Sequence, residues 1–240
     1  MTPQTLPPAA MTASVRTPLA AHIPAQLDAL VLRANGRLTD QDKAQGIDLL
    51  VDAYCDIIDT TLITLLDDIG TQYDVKALRD ARRIADDVKD KARHYVGWAG
   101  GRIASRRLPP VIRHFHALVH PAPADAAHSH QLQLPISPAL AHRGEEIILT
   151  LQHGTATNLD EGIALLNRIV EELMVPLATE PKNLLNFNVV ISKPLDGAIA
   201  MIRALIQRML VRFGQQITPP LYPLVGNHLS SFLISHRLQR

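Results

Sequence analysis

Residues 39–70 read TDQDKAQGIDLLVDAYCDIIDTTLITLLDDIG, and their spacing decides the fold class. Ile47, Val51, Tyr54, Ile58, Leu62, Leu65 and Ile69 recur at steps of 4, 3, 4, 4, 3 and 4. That is one apolar stripe of an α-helix, because only a period near 3.6 keeps such residues on one side. Thr39 with Asp42 three residues on is a start signal, and Gly70 is a stop.

The same period continues outward. From about Asp74 to Ser105, Val75, Leu78, Ala81, Ala85, Val88, Ala92, Val96, Ala99 and Ile103 predict a second helix, roughly 48 Å long at 1.5 Å per residue. Its Ala-rich stripe lets a neighbouring helix come close. Pro109-Pro110 closes this unit, and Val111 to Val119 predicts a short helix. Ser137-Pro138 reads as a cap with proline in the first turn. Glu145 to Leu151 fits helix or buried strand. Asn158 is expected to cap a helix carrying Ile163, Leu166, Ile169, Val170 and Leu173, which Pro176 should stop. NFNVVIS, Asn186 to Ser192, is the most strand-like run. Ser192 should cap a helix with Leu195, Ile199, Ile202, Ile206, Met209 and Phe213, and Thr218-Pro219 the last one. The sum is an all-α bundle of six to eight helices, with a short β-hairpin as an added option around Gln131 to Leu134.

Residues 1–27 hold no acid, one Arg and five prolines, and show no apolar periodicity. They predict a disordered tail ahead of a single helical domain, 28–240, whose Pro-rich stretch 120–138 is the internal loop. The tail lacks the basic start and apolar core of a secretory signal. Together with the absence of a spanning stretch, this predicts a cytoplasmic protein; export through an uncleaved leader is the alternative. The longest run free of Asp, Glu, Lys and Arg, Phe213 to His236, contains three prolines, Gly226 and Asn227, which argues against a spanning helix.

Composition narrows the function classes. Lys and Arg number 24 and Asp and Glu 23, so the chain as a whole is not a polyelectrolyte. One cysteine excludes an internal disulfide and a Cys-based zinc cluster. Aromatics at 4% argue against a base-stacking platform. There is no GxSxG, phosphate-binding glycine loop or dinucleotide fingerprint. Cys55, beside Asp56, is expected to be an inert thiol, since a neighbouring carboxylate raises its pKa.

Three groups of residues remain. The first is basic. No acid occurs from Lys91 through Ala124, and Arg102, Arg106, Arg107 and Arg113 cluster around Pro109-Pro110. They predict a contact for a protein partner or an anionic ligand, or else caps for helix C-termini. No docking motif for sequence-specific nucleic acid is visible. Upstream, GWAGG at 97–101 places three glycines beside the single Trp98, which needs close packing, a kink or a pocket.

The second group is acidic. Asp48, Asp52, Asp56 and Asp59 fall within an arc of about 80° on the first long helix. Lys76, Arg79, Arg82, Arg83, Lys89 and Lys91 follow on the next, so an antiparallel pair would form an exposed charge zipper. The alternative is a Mg²⁺ site, because carboxylates at i and i+4 can share a hard cation. Asp86-Asp87-Val88-Lys89-Asp90 spells DDxxD, which resembles the metal-binding motif of isoprenoid diphosphate synthases, also all-α bundles. The resemblance covers five residues. It implies Mg²⁺ on Asp86, Asp87 and Asp90, faced by Asp52 and Asp56, and a lipid diphosphate as ligand. In that family the two motifs lie far apart in sequence; here they lie on successive helices, and Val88 sits in the apolar stripe.

The third group is histidine: eight of the 11 lie between His94 and His153, without a metal-ligand spacing. They are expected to be neutral loop histidines. The reading with no cofactor is therefore a non-enzymatic helical binding or interaction protein, regulatory, adaptor or effector-type, using the basic segment. The alternatives are a Mg²⁺-dependent enzyme or carrier for an isoprenoid or lipid diphosphate, and a ligand-responsive regulator. The many apolar stripes add self-association, a homo-oligomer, as a further expectation.

Overall fold

The computed structural model describes residues 13–36, 38–71, 76–124, 126–155 and 159–235. Among them are eight helices and four short strands. Helix α1 is His22–Ala34. Helix α2 runs Asp40–Ile58, through a π-helical turn Asp59–Ile63, to Thr64–Gly70. Then come α3 (Lys76–Gly101), α4 (Pro109–Leu118) and α5 (Pro138–Gln152). Helix α6 is Leu159–Met174, a second π-helical turn Val175–Thr179, and Glu180–Leu185. Last are α7 (Val189–Gly214) and α8 (Tyr222–Ser230). The all-α bundle expected from the stripes is the fold observed.

The start signal of α2 is a capping box. Thr39 Oγ1 accepts from the Asp42 N–H at 3.1 Å, and Asp42 Oδ2 accepts from the Thr39 N–H at 2.9 Å. Helix α3 lies against both α2 and α7. Ala81 and Ala85, each 0% exposed, let backbones approach, as the Ala stripe required. Gly100 does the same toward α2: a Cβ there would sit 2.6 Å from Ile47 Cδ1. The helix ends at Gly101, short of the expected Ser105, and Ser105–Arg107 forms a separate 3₁₀ turn. Asp74, Val75, Asn158 and residues 1–12 lie outside the described residues.

Four differences from the sequence expectation have physical reasons. Residues 13–27, expected in the tail, are strand β1 (Ala13–Pro18) and the start of α1. Strand β1 pairs antiparallel with β3 (His130–Ile136), with Val15 opposite Leu134, more than a hundred residues on, so nothing local announces it. Ile23, Leu27 and Leu30 then bury one face of α1. Second, the stretch 120–138 is no simple loop: β2 (Val119–Pro121) and β3 make the hairpin, and β1 and β4 (Leu233–Ser235) extend it to a sheet of order β2-β3-β1-β4. Third, the strand-like NFNVVIS is a helix start: Asn186 adopts φ 46°, and the Asn188 side chain accepts from the Ile191 N–H, so the cap stands at Asn188 and not at Ser192. Fourth, Pro176 does not stop α6. The π-helical turn at Val175–Thr179 takes up the missing N–H, and the helix continues to Leu185.

Among the described residues, no helix is long and apolar enough to cross a membrane.

Candidate functional site

The stripe of α2 that reads as core is half wall. Ile47, Tyr54, Ile58 and Leu62 face a cavity of about 240 Å³ bordered by α2, α3, α4, α6 and α7. A second apolar cavity, of about 210 Å³, lies between α2, α5, α6, α7, α8 and the sheet. Ile57, Thr61, Leu62, Val170, Leu173 and Leu177 line both, so a single layer of side chains divides them.

Both π-helical turns contribute to that layer: Thr61 and Leu62 from α2, Leu177 from α6. A π turn widens the helix by one residue and leaves backbone groups without their usual partner. Side chains satisfy them here. The Thr61 hydroxyl donates to the Ile57 carbonyl, and Thr64 to that of Asp59 at 3.0 Å. The Tyr54 hydroxyl, in the α-helical part of α2, donates to the Leu177 carbonyl in the π turn of α6. His114 Nε2 lies 2.7 Å from the Pro176 carbonyl oxygen. With these polar groups engaged, the cavity walls present carbon. Burial pushes the Tyr54 phenol above its ordinary pKa, so it stays a neutral donor. In the second cavity the Thr17 hydroxyl, 0% exposed, has no hydrogen-bond partner among the described residues.

The five aspartates proposed for Mg²⁺ line neither cavity. Asp86 is exposed and pairs with Arg82 at 3.3 Å, Asp90 pairs with Arg93 at 2.8 Å, and Asp87 is exposed. Asp56 Oδ2 accepts the Ala20 N–H at 2.6 Å and fixes the turn between β1 and α1, while Asp52 lies 3.7 Å from His22. Val88, between them, points the other way and lines the first cavity. Among the described residues, no three His, Cys, Asp or Glu side chains are grouped to hold a metal ion. The charge zipper is partial: Asp59 meets Lys89, and Asp67, not in the predicted stripe, takes Arg82 at 2.6 Å.

The basic segment divides in two. Arg107 donates to the Leu185 and Asn186 carbonyls at 3.4 and 3.0 Å, and Arg113 to the Ala34 carbonyl at 3.0 Å and Asn35 Oδ1 at 3.3 Å. These two arginines satisfy the C-terminal ends of α6 and α1. Arg102 lies over the Trp98 ring, 4.2 Å from its centroid, and donates to the Trp98 carbonyl. Arg106 is exposed with no partner among the described residues. Of the glycines beside Trp98, Gly100 lines the first cavity together with Ala99, while Gly97, Gly101 and Trp98 do not.

Cys55 is buried, and burial raises its thiol pKa, against the lowering effect of Arg93 and Lys89. His228 is pushed down by burial, which outweighs its contact with the Thr61 carbonyl at 3.3 Å.

The cavities left no distinct mark in the sequence. A stripe that lines a hollow and one that fills a core have the same period. The signal that bears on them is Pro176 inside an otherwise continuous helical pattern. Comparisons with protein-family models, with curated proteins and with solved structures found no match.

Proposed function

We propose that this chain is a non-enzymatic helical binding protein whose ligand is an apolar small molecule, a lipid or isoprenoid chain, held inside the bundle. The observation that carries this reading is the pair of adjoining apolar cavities, about 240 and 210 Å³, divided by one layer of side chains. Ordinary interiors are packed to the density of organic crystals, and voids larger than a water molecule are few. Two hollows of this size in a chain of 240 residues are therefore a feature to be filled. Water is a poor occupant, because an ordered water needs about two to four polar partners and the walls offer at most the one free Thr17 hydroxyl. In the second cavity the Thr17 hydroxyl gives a ligand one polar contact.

In this reading the basic segment meets an outside partner or an anionic group, and Arg106 is its free member. The Mg²⁺-dependent alternative requires the ligand's diphosphate to reach Asp86, Asp87 and Asp90. Those residues stand on the solvent side of α3, away from the cavity walls, which favours binding without metal.

The test is titration of ligand-free protein with a fluorescent polyene fatty acid. Saturable binding that excess Mg²⁺ leaves unchanged, and that Val170→Phe abolishes, supports the reading. Absence of saturable binding refutes it, and binding that requires Mg²⁺ moves the assignment to the diphosphate alternative.

A further inference from the structure

Seven large apolar side chains are prominently exposed among the described residues, and three of them stand on the helix ends that flank the turn joining α6 to α7. Leu184 is 42% exposed, Val189 66% and Val190 79%. The turn is held in place. Asn186 sits at φ 46°, Asn188 caps α7, and Arg107 reaches across to the Leu185 and Asn186 carbonyls. The apolar tip is thus displayed by a fixed backbone.

Its surroundings are basic. No acidic residue occurs from Pro181 through Leu195, and none from Lys91 through Ala124, the segment that Arg107 ties to the turn. Lys193 is exposed and lies four residues after Val189, on the same side of α7. Arg106 is exposed beside Arg107. The acids that flank this stretch in sequence are engaged, Asp196 with Lys182 and Glu180 beside His114 at 3.6 Å, and Asp40, next to Arg106, accepts from the Ser105 hydroxyl at 2.8 Å. An apolar tip accompanied by the exposed cations Arg106 and Lys193 matches the layered chemistry of an anionic bilayer, with phosphates outside and hydrocarbon beneath. The same turn lines the first cavity through Leu185 and Phe187, with Pro181 and Leu195 on either side.

We propose that the α6–α7 turn, Leu184 to Val190, docks this chain onto an anionic lipid bilayer, with Arg106 and Lys193 against the headgroups. Docking puts the wall of the first cavity next to the hydrocarbon, so a lipid ligand enters or leaves there. That transfer role rests on the cavity reading; the docking surface itself does not.

The experiment is cosedimentation of the full-length chain with phosphatidylcholine vesicles, with and without phosphatidylserine. Binding is expected to be about tenfold or more stronger with phosphatidylserine, and to weaken with added salt. The pair Val189→Asp and Val190→Asp should lower it by about tenfold or more, since charge cannot enter the hydrocarbon boundary. The pair Arg106→Glu and Lys193→Glu should remove the preference for phosphatidylserine while circular dichroism stays unchanged. All four side chains are exposed, so the fold tolerates the changes. The proposal is overturned if the wild type ignores phosphatidylserine vesicles, or if neither pair alters its binding. It is also overturned if the aspartates instead dissolve a dimer of a chain that ignores vesicles, which assigns the tip to a second copy. Ligand mass measured on the same variants separates the two readings. Docking by a chain that never carries ligand sinks the cavity reading alone, and a loaded chain that ignores vesicles sinks docking alone.

Discussion

Val170→Phe is the substitution that probes the interior most sharply. Val170 lies on α6 and lines both cavities. Phenylalanine adds four carbons there, and hollows of about 240 and 210 Å³ have room for them. Each apolar carbon moved from water into protein contacts is worth about 0.8 kcal/mol. Ordering the larger side chain costs of order 1 kcal/mol. The ligand-free variant should therefore be more stable than wild type by about 2 kcal/mol, equivalent to a rise in Tm of roughly 4–8 °C for a chain of this size. Overpacking in a filled core has the opposite sign and costs about 1–3 kcal/mol. With ligand present the order should reverse, because wild type gains binding free energy that the filled variant cannot. Urea unfolding of both proteins, with and without a saturating fatty acid, reads all four values. A ligand-free variant less stable than wild type by about 1 kcal/mol or more would refute the argument, since it would mean that the space is already packed.

The remaining predictions concern local contacts. Gly226→Ala places a Cβ 2.8 Å from the Gln152 backbone nitrogen and should destabilise by about 1–3 kcal/mol. Gly97→Ala, with nothing within 4 Å, should stabilise α3 by about 0.5–1 kcal/mol; urea midpoints check both. Arg113→Met frees the α1 end and should cost about 0.5–1.5 kcal/mol, whereas Arg106→Ala should stay within about 0.5 kcal/mol of wild type. His228 has its pKa lowered below 6.5 by burial, so the folded state holds it neutral. Its contribution to stability is full above pH 6.5 and is lost as pH falls through the lowered value. His228→Gln should therefore flatten the stability profile on the acid side of pH 6.5, and an unchanged slope would assign that sensitivity to other groups.

Much of this architecture is legible in the sequence because helical information is local. The α2 stripe, its Thr39–Asp42 box and the Ala face of α3 each rest on residues three or four apart. What escaped reading depends on distant partners. Ala13–Pro18 becomes a strand because His130–Ile136 and Leu233–Ser235 lie on either side of it. Val189 and Val190 suggest a strand by their branched side chains, yet the Asn188 cap and the turn before it commit them to helix. At Pro176 the sequence signals a stop, and a π turn braced by Tyr54 and His114 carries the helix past it. The basic segment was legible as a cluster, but not that Arg107 and Arg113 would be used on helix ends. The five aspartates were legible as a string, but Asp56 is committed to the Ala20 N–H.

Native mass spectrometry of the purified chain, alongside its denatured mass, decides whether the interior holds a lipid. Excess mass of lipid size is expected on the folded protein, released on denaturation and absent from Val170→Phe. A clean, unliganded mass that stays unchanged after incubation with fatty acids and isoprenoid alcohols would contradict it.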